Sequence, residues 1–274
     1  MIVALAGLAL TLVYAVANFP NAATGDYMTL GAYATKGMQA ALGLPMAVDA
    51  IGGVLASVGS AVLFHLWVFR RLAGQTLAAP LVASIGISFF LRSALTFFVG
   101  HENLAFNIPL ERATRIGGLM VQPTDLYVAL IALGSLTACF SLLYLTSIGK
   151  CMRAVADNPD LARACGIRSS RVTLVMWLTV GVICALGGIL LGVKSVVYPE
   201  MGWDFLMAGF AAMILGGVGN PLGAVIGGIA IGIAQELSAP IVGYSYKISV
   251  AFAVMVPMLL WRRHGLFGWG ERVR

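Results

Sequence analysis

The sequence predicts an all-α protein, a polytopic transmembrane helical bundle of about eight helical segments with two glycine- and proline-broken hairpins. Three observations predict it. Of the 274 residues, 60% are hydrophobic and 10% charged, where an average soluble domain is about 25% charged. Apolar runs recur at close to the ~20 residues that cross a hydrocarbon core of about 30 Å. The runs are continuous rather than alternating. A backbone with no water to bond must pair within helices or a closed barrel, and continuous runs select helices. The chain reads as a single transmembrane domain, 1–274.

The first segment, 1 to 17, opens Met1-Ile2-Val3-Ala4-Leu5 without the basic stretch of a secretory signal, so it is expected to be a retained span. A break from Asn18 to Asp26 precedes a second segment, 28 to 43, which is short for crossing alone. The third, 46 to 68, ends on Arg70 and Arg71, and the fourth, 79 to 99, carries Arg92. A loop from Gly100 to Thr124 holds Glu102, Glu111, Arg112 and Arg115, a mixed charge that suits an outer surface or a plain solvated loop equally. The fifth segment, 125 to 147, runs into a polar island at 148–171. Segments at 172 to 194, 204 to 217 (again short), 222 to 238 and 247 to 261 complete the chain, with Arg262 and Arg263 after the last.

Arg70 and Arg71, then Lys150, Arg153, Arg163, Arg168 and Arg171, then Arg262 and Arg263 gather the basic residues in three places. The positive-inside rule puts all three in the cytoplasm. Two candidate spans separate the first place from the second and four the second from the third, so the assignment is self-consistent. It expects a cytoplasmic C-terminus and, followed backwards, an outer N-terminus. Because these charges report topology, the net charge of +6 does not point to nucleic acid. Thirty-three glycines suit helices packed closely in lipid. Cys139, Cys151, Cys165 and Cys184 show no metal-ligand spacing and read as small packing residues, with those flanking the island kept as thiols in a reducing cytoplasm.

Within the island, Ala154, Asp157, Leu161, Ala164 and Cys165 recur at spacings of three and four, which is helical. Asn158 before Pro159 fits a helix cap with proline at the first helical position, and Gly166 fits a helix end. The expected product is a short amphipathic surface helix that docks another protein or lies on lipid headgroups. Enzyme chemistry is disfavoured, because the island has no histidine and its two aspartates lack a nucleophile beside them.

The run from Gly149 to Ile167, followed by Arg171-Val172, resembles the cytoplasmic loop of permease subunits in branched-chain amino-acid ABC importers, the leucine/isoleucine/valine type. The resemblance continues through Ala185-Leu186-Gly187-Gly188, through Leu215-Gly216-Gly217-Val218-Gly219-Asn220-Pro221-Leu222-Gly223, and near the start through Asn18-Phe19 and Gly25-Asp26-Tyr27-Met28-Thr29-Leu30-Gly31. It covers nearly the whole chain. It implies a multi-pass protein of the bacterial inner membrane that forms half of a translocation path with a second related permease. Two ATP-binding cassette ATPases and an extracytoplasmic solute-binding protein are the other implied partners. The loop would then seat in an ATPase, with Arg153, Ala154, Asp157, Asn158, Leu161, Ala162 and Gly166 as coupling residues. The chain itself has no P-loop: Gly149-Lys150 is preceded at the required spacing by Tyr144, not glycine. No cofactor of its own is expected, and ATP would be bound by the separate subunit.

Two departures accompany the resemblance. Asn18-Phe19-Pro20-Asn21-Ala22 stands where the family often has Asn-Phe-Ala-His-Gly, so a role for that histidine is absent. The stretch ahead of Tyr14 is also short for the family, which reads as a shortened start or a marginal first span.

Broken backbone is tolerated in a membrane only where protein or a watery cavity covers it, and transporters place such breaks at substrate sites. The breaks at 18–26 and 216–221 therefore nominate Asn18, Asn21, Asp26, Gly217, Gly219 and Asn220 as lining the path, with an ordinary tight turn as the alternative for the second. Arg92 joins them, either snorkelling or pairing, or receiving a substrate carboxylate. Glu236 is expected to pair with Lys247 or to be solvated. Glu200 and Asp204 beside Trp203 could meet a binding protein, and His65 reads as an interfacial packing residue. Relatives that carry urea or short amides leave the solute open. An ion-coupled carrier would call for ionisable groups in several spans, and Arg92 is the main one. A membrane-embedded enzyme would call for clustered catalytic residues, which three scattered histidines do not supply.

Overall fold

The structure is a computed structural model that describes residues 1–43, 45–107, 114–116, 119–243, 246–262 and 265–267. Glu111, Arg112 and Arg263 lie outside those residues, and the side chain of Arg115 is not described. In chain order the helices are α1 (Ile2–Ala17), α2 (Ala23–Leu42), α3 (Met46–Leu72), α4 (Ala78–Val99), α5 (Pro123–Leu145), α6 (Ser147–Asp157), α7 (Pro159–Ala164), α8 (Ser169–Lys194), α9 (Met201–Gly216), α10 (Pro221–Val242) and α11 (Lys247–Trp261). Of these, α3, α4, α5, α8 and α10 are long and apolar enough to span a membrane, while α1, α9 and α11 are apolar but shorter.

Two differences from expectation have physical causes. Helix α2 begins at Ala23 rather than 28, because Thr24 and Asp26, which read as loop, are buried and Asp26 is held by Ser88 and Arg92 of α4. Between α4 and α5 the chain forms two three-residue strands, β1 (Thr114–Ile116) and β2 (Leu119–Val121), paired antiparallel with Ile116 opposite Leu119. The stretch before them is anchored to the α8–α9 connection: Leu104 and Val197 exchange backbone hydrogen bonds of 2.9 and 2.7 Å.

The core is built on α1, whose residues from Ile2 to Val13 are all buried. A helix apolar all round belongs inside a bundle, and α8, α9 and α10 surround it. Small residues set the approach. Gly7 meets Ala212 and the backbone of Ala224, Gly209 meets Ala6, and Gly228 meets the backbone of Ala4. A second crossing puts α2 against α8 at Gly31 and Ala185, and a third puts Gly25 of α2 against Gly202 of α9. Lipid tails give helices no hydrophobic reason to associate, so close van der Waals fit does the work.

Near its end α3 passes through one π-helical stretch, His65–Phe69, which rotates the side chains that follow. Phe69 then stacks on Trp177 of α8 at 4.9 Å and meets Phe19 at 5.2 Å, and His65 stacks on the same indole at 5.6 Å. His65 is therefore a buried packing residue, as its type suggested. Glu236 pairs with Lys247 at 2.5 Å, and Lys194 with Asp125 at 3.5 Å.

Candidate functional site

The first break is a helix reversal. Asn18 ends α1 in the left-handed conformation, with φ 59°, and is exposed. The chain turns through Phe19 and Pro20 into α2, whose first free N–H groups need acceptors. Asn21 Oδ1 accepts from Ala23 N–H at 3.1 Å, and Ser84 Oγ of α4 accepts from Ala22 N–H at 3.1 Å. Asn21 is wholly buried, and its Nδ2 has no partner.

One turn further along, Asp26 is also wholly buried. Ser88 donates a short hydrogen bond to its Oδ2, and Arg92 donates to its Oδ1 at 3.5 Å and to Ser88 Oγ at 3.4 Å. The Arg92 guanidinium lies 4.9 Å from the centre of the Trp203 ring and 5.6 Å from that of Phe89, within the range of cation–π attraction. Asp26 sits in the first turn of α2, where the helix dipole favours a negative charge. Ser88 and Arg92 lie about 15 and 21 Å along α4, which is about 33 Å long, so the cluster sits near the middle of that helix. Two nominated residues far apart in sequence, Asp26 and Arg92, are thus brought together. Ser88 and Trp203 complete the site without having been nominated as path residues. The signal for Ser88 was present: Ser84, Ser88 and Arg92 recur every four residues, a polar stripe on one face of an apolar helix.

The second break lies elsewhere. Gly217 and Gly219 take φ of 106° and 86°, and Asn220 caps α10 by accepting from Leu222 and Gly223 N–H at 3.1 and 3.2 Å. Asn220 Nδ2 also donates to the Phe267 carbonyl at 3.2 Å, while Leu266 and Phe267 donate backbone N–H groups to Leu215 and Gly216. Gly216 packs directly on the backbone of Gly223. This is a capped reversal between two tightly packed helices, about 20 Å along α9 from Trp203. Gly217, Gly219 and Asn220 are therefore at the opposite end of α9 from the Asp26–Arg92 cluster.

In the polar island, Thr146 caps α6 by accepting from Gly149 N–H at 3.1 Å. Helix α6 ends at Asp157, and Asn158 Oδ1 accepts from both Asp160 and Leu161 N–H at 3.1 Å, with Pro159 in the first turn of α7. Gly166, at φ 81°, closes α7: its N–H bonds to Arg163 O and that of Ile167 to Ala162 O, both at 3.0 Å. That is the paired bonding of a Schellman end. The break at Asn158 divides the expected stripe between two helices. Gly149, Met152 and Val155 of α6 and Ala162 of α7 are buried, Ala154 is half-buried, and Asp157, Leu161, Ala164 and Cys165 are exposed. Leu161 is 61% exposed, a large apolar side chain on a polar surface. Asp160 pairs with Arg163 beside it. Arg153 turns back to donate to the Leu143 carbonyl and lies 4.8 Å from the centre of the Tyr144 ring. Exposed Cys165 corrects the expectation that all four cysteines serve packing; Cys139 and Cys184 are buried.

Between α8 and α9, Tyr198 OH donates to Asp204 Oδ2 at 2.8 Å, so this carboxylate is engaged within the chain. Burial first, and then the Asp204 carboxylate it bonds, push the Tyr198 phenol above its ordinary pKa. Among the described residues no group of three or more His, Cys, Asp or Glu side chains is placed to hold a metal.

The profile of the family described as "Branched-chain amino acid transport system / permease component" matches residues 1–259. The high-affinity branched-chain amino acid transport system permease protein LivH of Escherichia coli K12 is 27% identical over 97% of this chain and 91% of its own length. BraD, the corresponding permease of Pseudomonas aeruginosa, is 24% identical with the same coverage. A probable LivH of Methanocaldococcus jannaschii is 30% identical over 96% of this chain and 88% of its own. The apolar helices, the broken backbone of the two reversals and these near full-length matches agree: the chain is a multi-pass membrane protein and belongs to the permease family of branched-chain amino-acid ABC importers.

Proposed function

We propose that this permease is one subunit of an ATP-driven, binding-protein-dependent importer of branched-chain amino acids. It forms half of the translocation path beside a second related permease and takes solute from an extracytoplasmic binding protein. It holds no ATP itself and is driven by two separate ATPase subunits. Residues 148–171 are its coupling loop, the C-terminus lies on the same cytoplasmic side, and 1–274 act as one domain. The relatives named above, which are permeases of branched-chain amino-acid transport systems, support the solute class.

The observation that carries the coupling assignment is α7. Capped at both ends and resting on buried Ala162, it leaves Leu161 exposed in a stretch that also exposes Asp157, Asp160 and Arg163. A large apolar side chain exposed in a charged stretch fits a docking contact with an apolar centre and a polar rim. In this reading Leu161 is the anchor, Asp157 lies on the rim, Asn158 and Gly166 fix the helix ends, Ala162 seats the helix on the permease, and Arg153 and Ala154 carry motion toward α5. Asn18, Asn21, Asp26 and Arg92 lie toward the path, and Gly217, Gly219 and Asn220 form the turn of the second hairpin.

The test is Leu161→Asp in the assembled importer reconstituted in liposomes. The expected result is uptake reduced at least tenfold, with the permease still inserted and the ATPase no longer co-purifying in full. Normal uptake with normal ATPase retention would remove the assignment.

A further inference from the structure

An arginine with spare hydrogen-bonding capacity near the middle of an apolar helix is unusual. Arg92 meets Asp26 through one nitrogen only, at 3.5 Å, and its Nε is buried without a partner. A guanidinium is built to grip a carboxylate through two parallel N–H donors, and Asp26, tied to Ser88 and fixed in the first turn of α2, does not fill that fork. The Arg92 side chain is 15% exposed. A charge exposed at this depth cannot face lipid without penalty, so the open edge faces water or protein. Beside it stand Trp203 and Phe89, aromatic surfaces at 4.9 and 5.6 Å.

We infer that Asp26, Ser88, Arg92, Phe89 and Trp203 form a binding station for a zwitterionic α-amino acid with an apolar side chain. The solute's carboxylate takes the Arg92 guanidinium in place of Asp26, its ammonium is accepted by the Asp26 carboxylate so released, and its hydrocarbon lies against Trp203 and Phe89. In the empty state Arg92 and Asp26 neutralise each other. The solute, carrying one charge of each sign, replaces that contact by two others without changing the net charge of the site. A neutral amide or urea offers no carboxylate to the fork. This assignment rests on the proposed function, since it requires solute to cross beside this chain.

The test uses the complete importer in liposomes with loaded binding protein and leucine. Arg92→Gln and Asp26→Asn are each expected to lower leucine uptake at least tenfold. The decisive form is the double variant Asp26→Asn/Arg92→Gln, which leaves no unpaired buried charge. If the pair only holds helices together, the double variant recovers uptake, and recovery to within twofold of wild type would overturn the station. Uptake that stays at least tenfold low while loaded binding protein still stimulates ATP hydrolysis supports it. Should the charge variants fail to assemble, Phe89→Cys decides. Labelling by a water-soluble thiol reagent that leucine slows at least threefold during turnover supports the station, and absence of labelling, or labelling that leucine does not slow, overturns it. A wild-type assembly that takes up no α-amino acid overturns the proposed function first, and this station with it.

Discussion

The guanidinium of Arg153 donates to the carbonyl oxygen of Leu143, ten residues earlier and across the α5–α6 turn. It thereby satisfies one of the last carbonyls of α5, where a helix C-terminus favours a cation, and it spreads over the ring of Tyr144. This arginine acts as a strut between a span and the loop it leads into. Arg153→Ala is expected to lower stability by about 1.5–3 kcal/mol, the usual worth of a hydrogen bond to a charged group. Thermal unfolding in detergent reads that loss. Arg153→Lys keeps the charge but not the planar fork and is expected to fall between the two.

Asn158 is the joint of the same loop, with one side-chain oxygen serving two backbone donors. Asn158→Ala is expected to cost about 1 kcal/mol. Because α7 has only six residues, that is a large share of its local stability. Hydrogen exchange across residues 159–164 should quicken roughly fivefold, as that energy implies, while Asn158→Asp leaves exchange close to wild type.

Glycines on the helices divide into two kinds. At Gly202 a methyl group would collide with the Gly25 carbonyl and the Thr29 hydroxyl, whereas at Gly37 it would meet nothing within 4 Å. Gly202→Ala is expected to destabilise by about 1–3 kcal/mol through overpacking. Gly37→Ala should stabilise by roughly 0.5–1 kcal/mol through helix propensity. Unfolding midpoints of the two variants should move in opposite directions.

Cys165 is exposed while Cys139 and Cys184 are buried. Maleimide treatment of intact vesicles followed by peptide mass spectrometry should find label on Cys165 and none on the buried pair. A membrane-impermeant reagent should reach Cys165 in inside-out vesicles only. Labelling from the other face would reverse the proposed orientation.

Local features were the legible ones. Asn158, Pro159 and Gly166 act within a few residues of themselves, so the sequence order alone announces the cap and the end. The helical segments were legible for a similar reason, since lipid demands long apolar runs. What escaped were relationships across the bundle. Asp26 and Arg92 each stood out as charges near a break or within a span, but their pairing, 66 positions apart, depends on how α2 and α4 cross. A longer separation hid Trp177, which reads as one more apolar residue until the π-helical stretch of α3 brings Phe69 and His65 onto it. Grouping Asn220 with Asp26 treated two glycine- and proline-bearing breaks as one kind of object. The first gives α2 a buried polar start, and the second is a capped turn, a distinction that lies in their tertiary partners rather than in their composition.

The last described residues fasten that second turn: Leu266 and Phe267 bond the end of α9, and Asn220 bonds Phe267. A ribosome delivers Asn220 well before Phe267, so the α9–α10 turn is first held by its own cap and the Gly216–Gly223 contact, and gains the three bonds from the chain's far end only later.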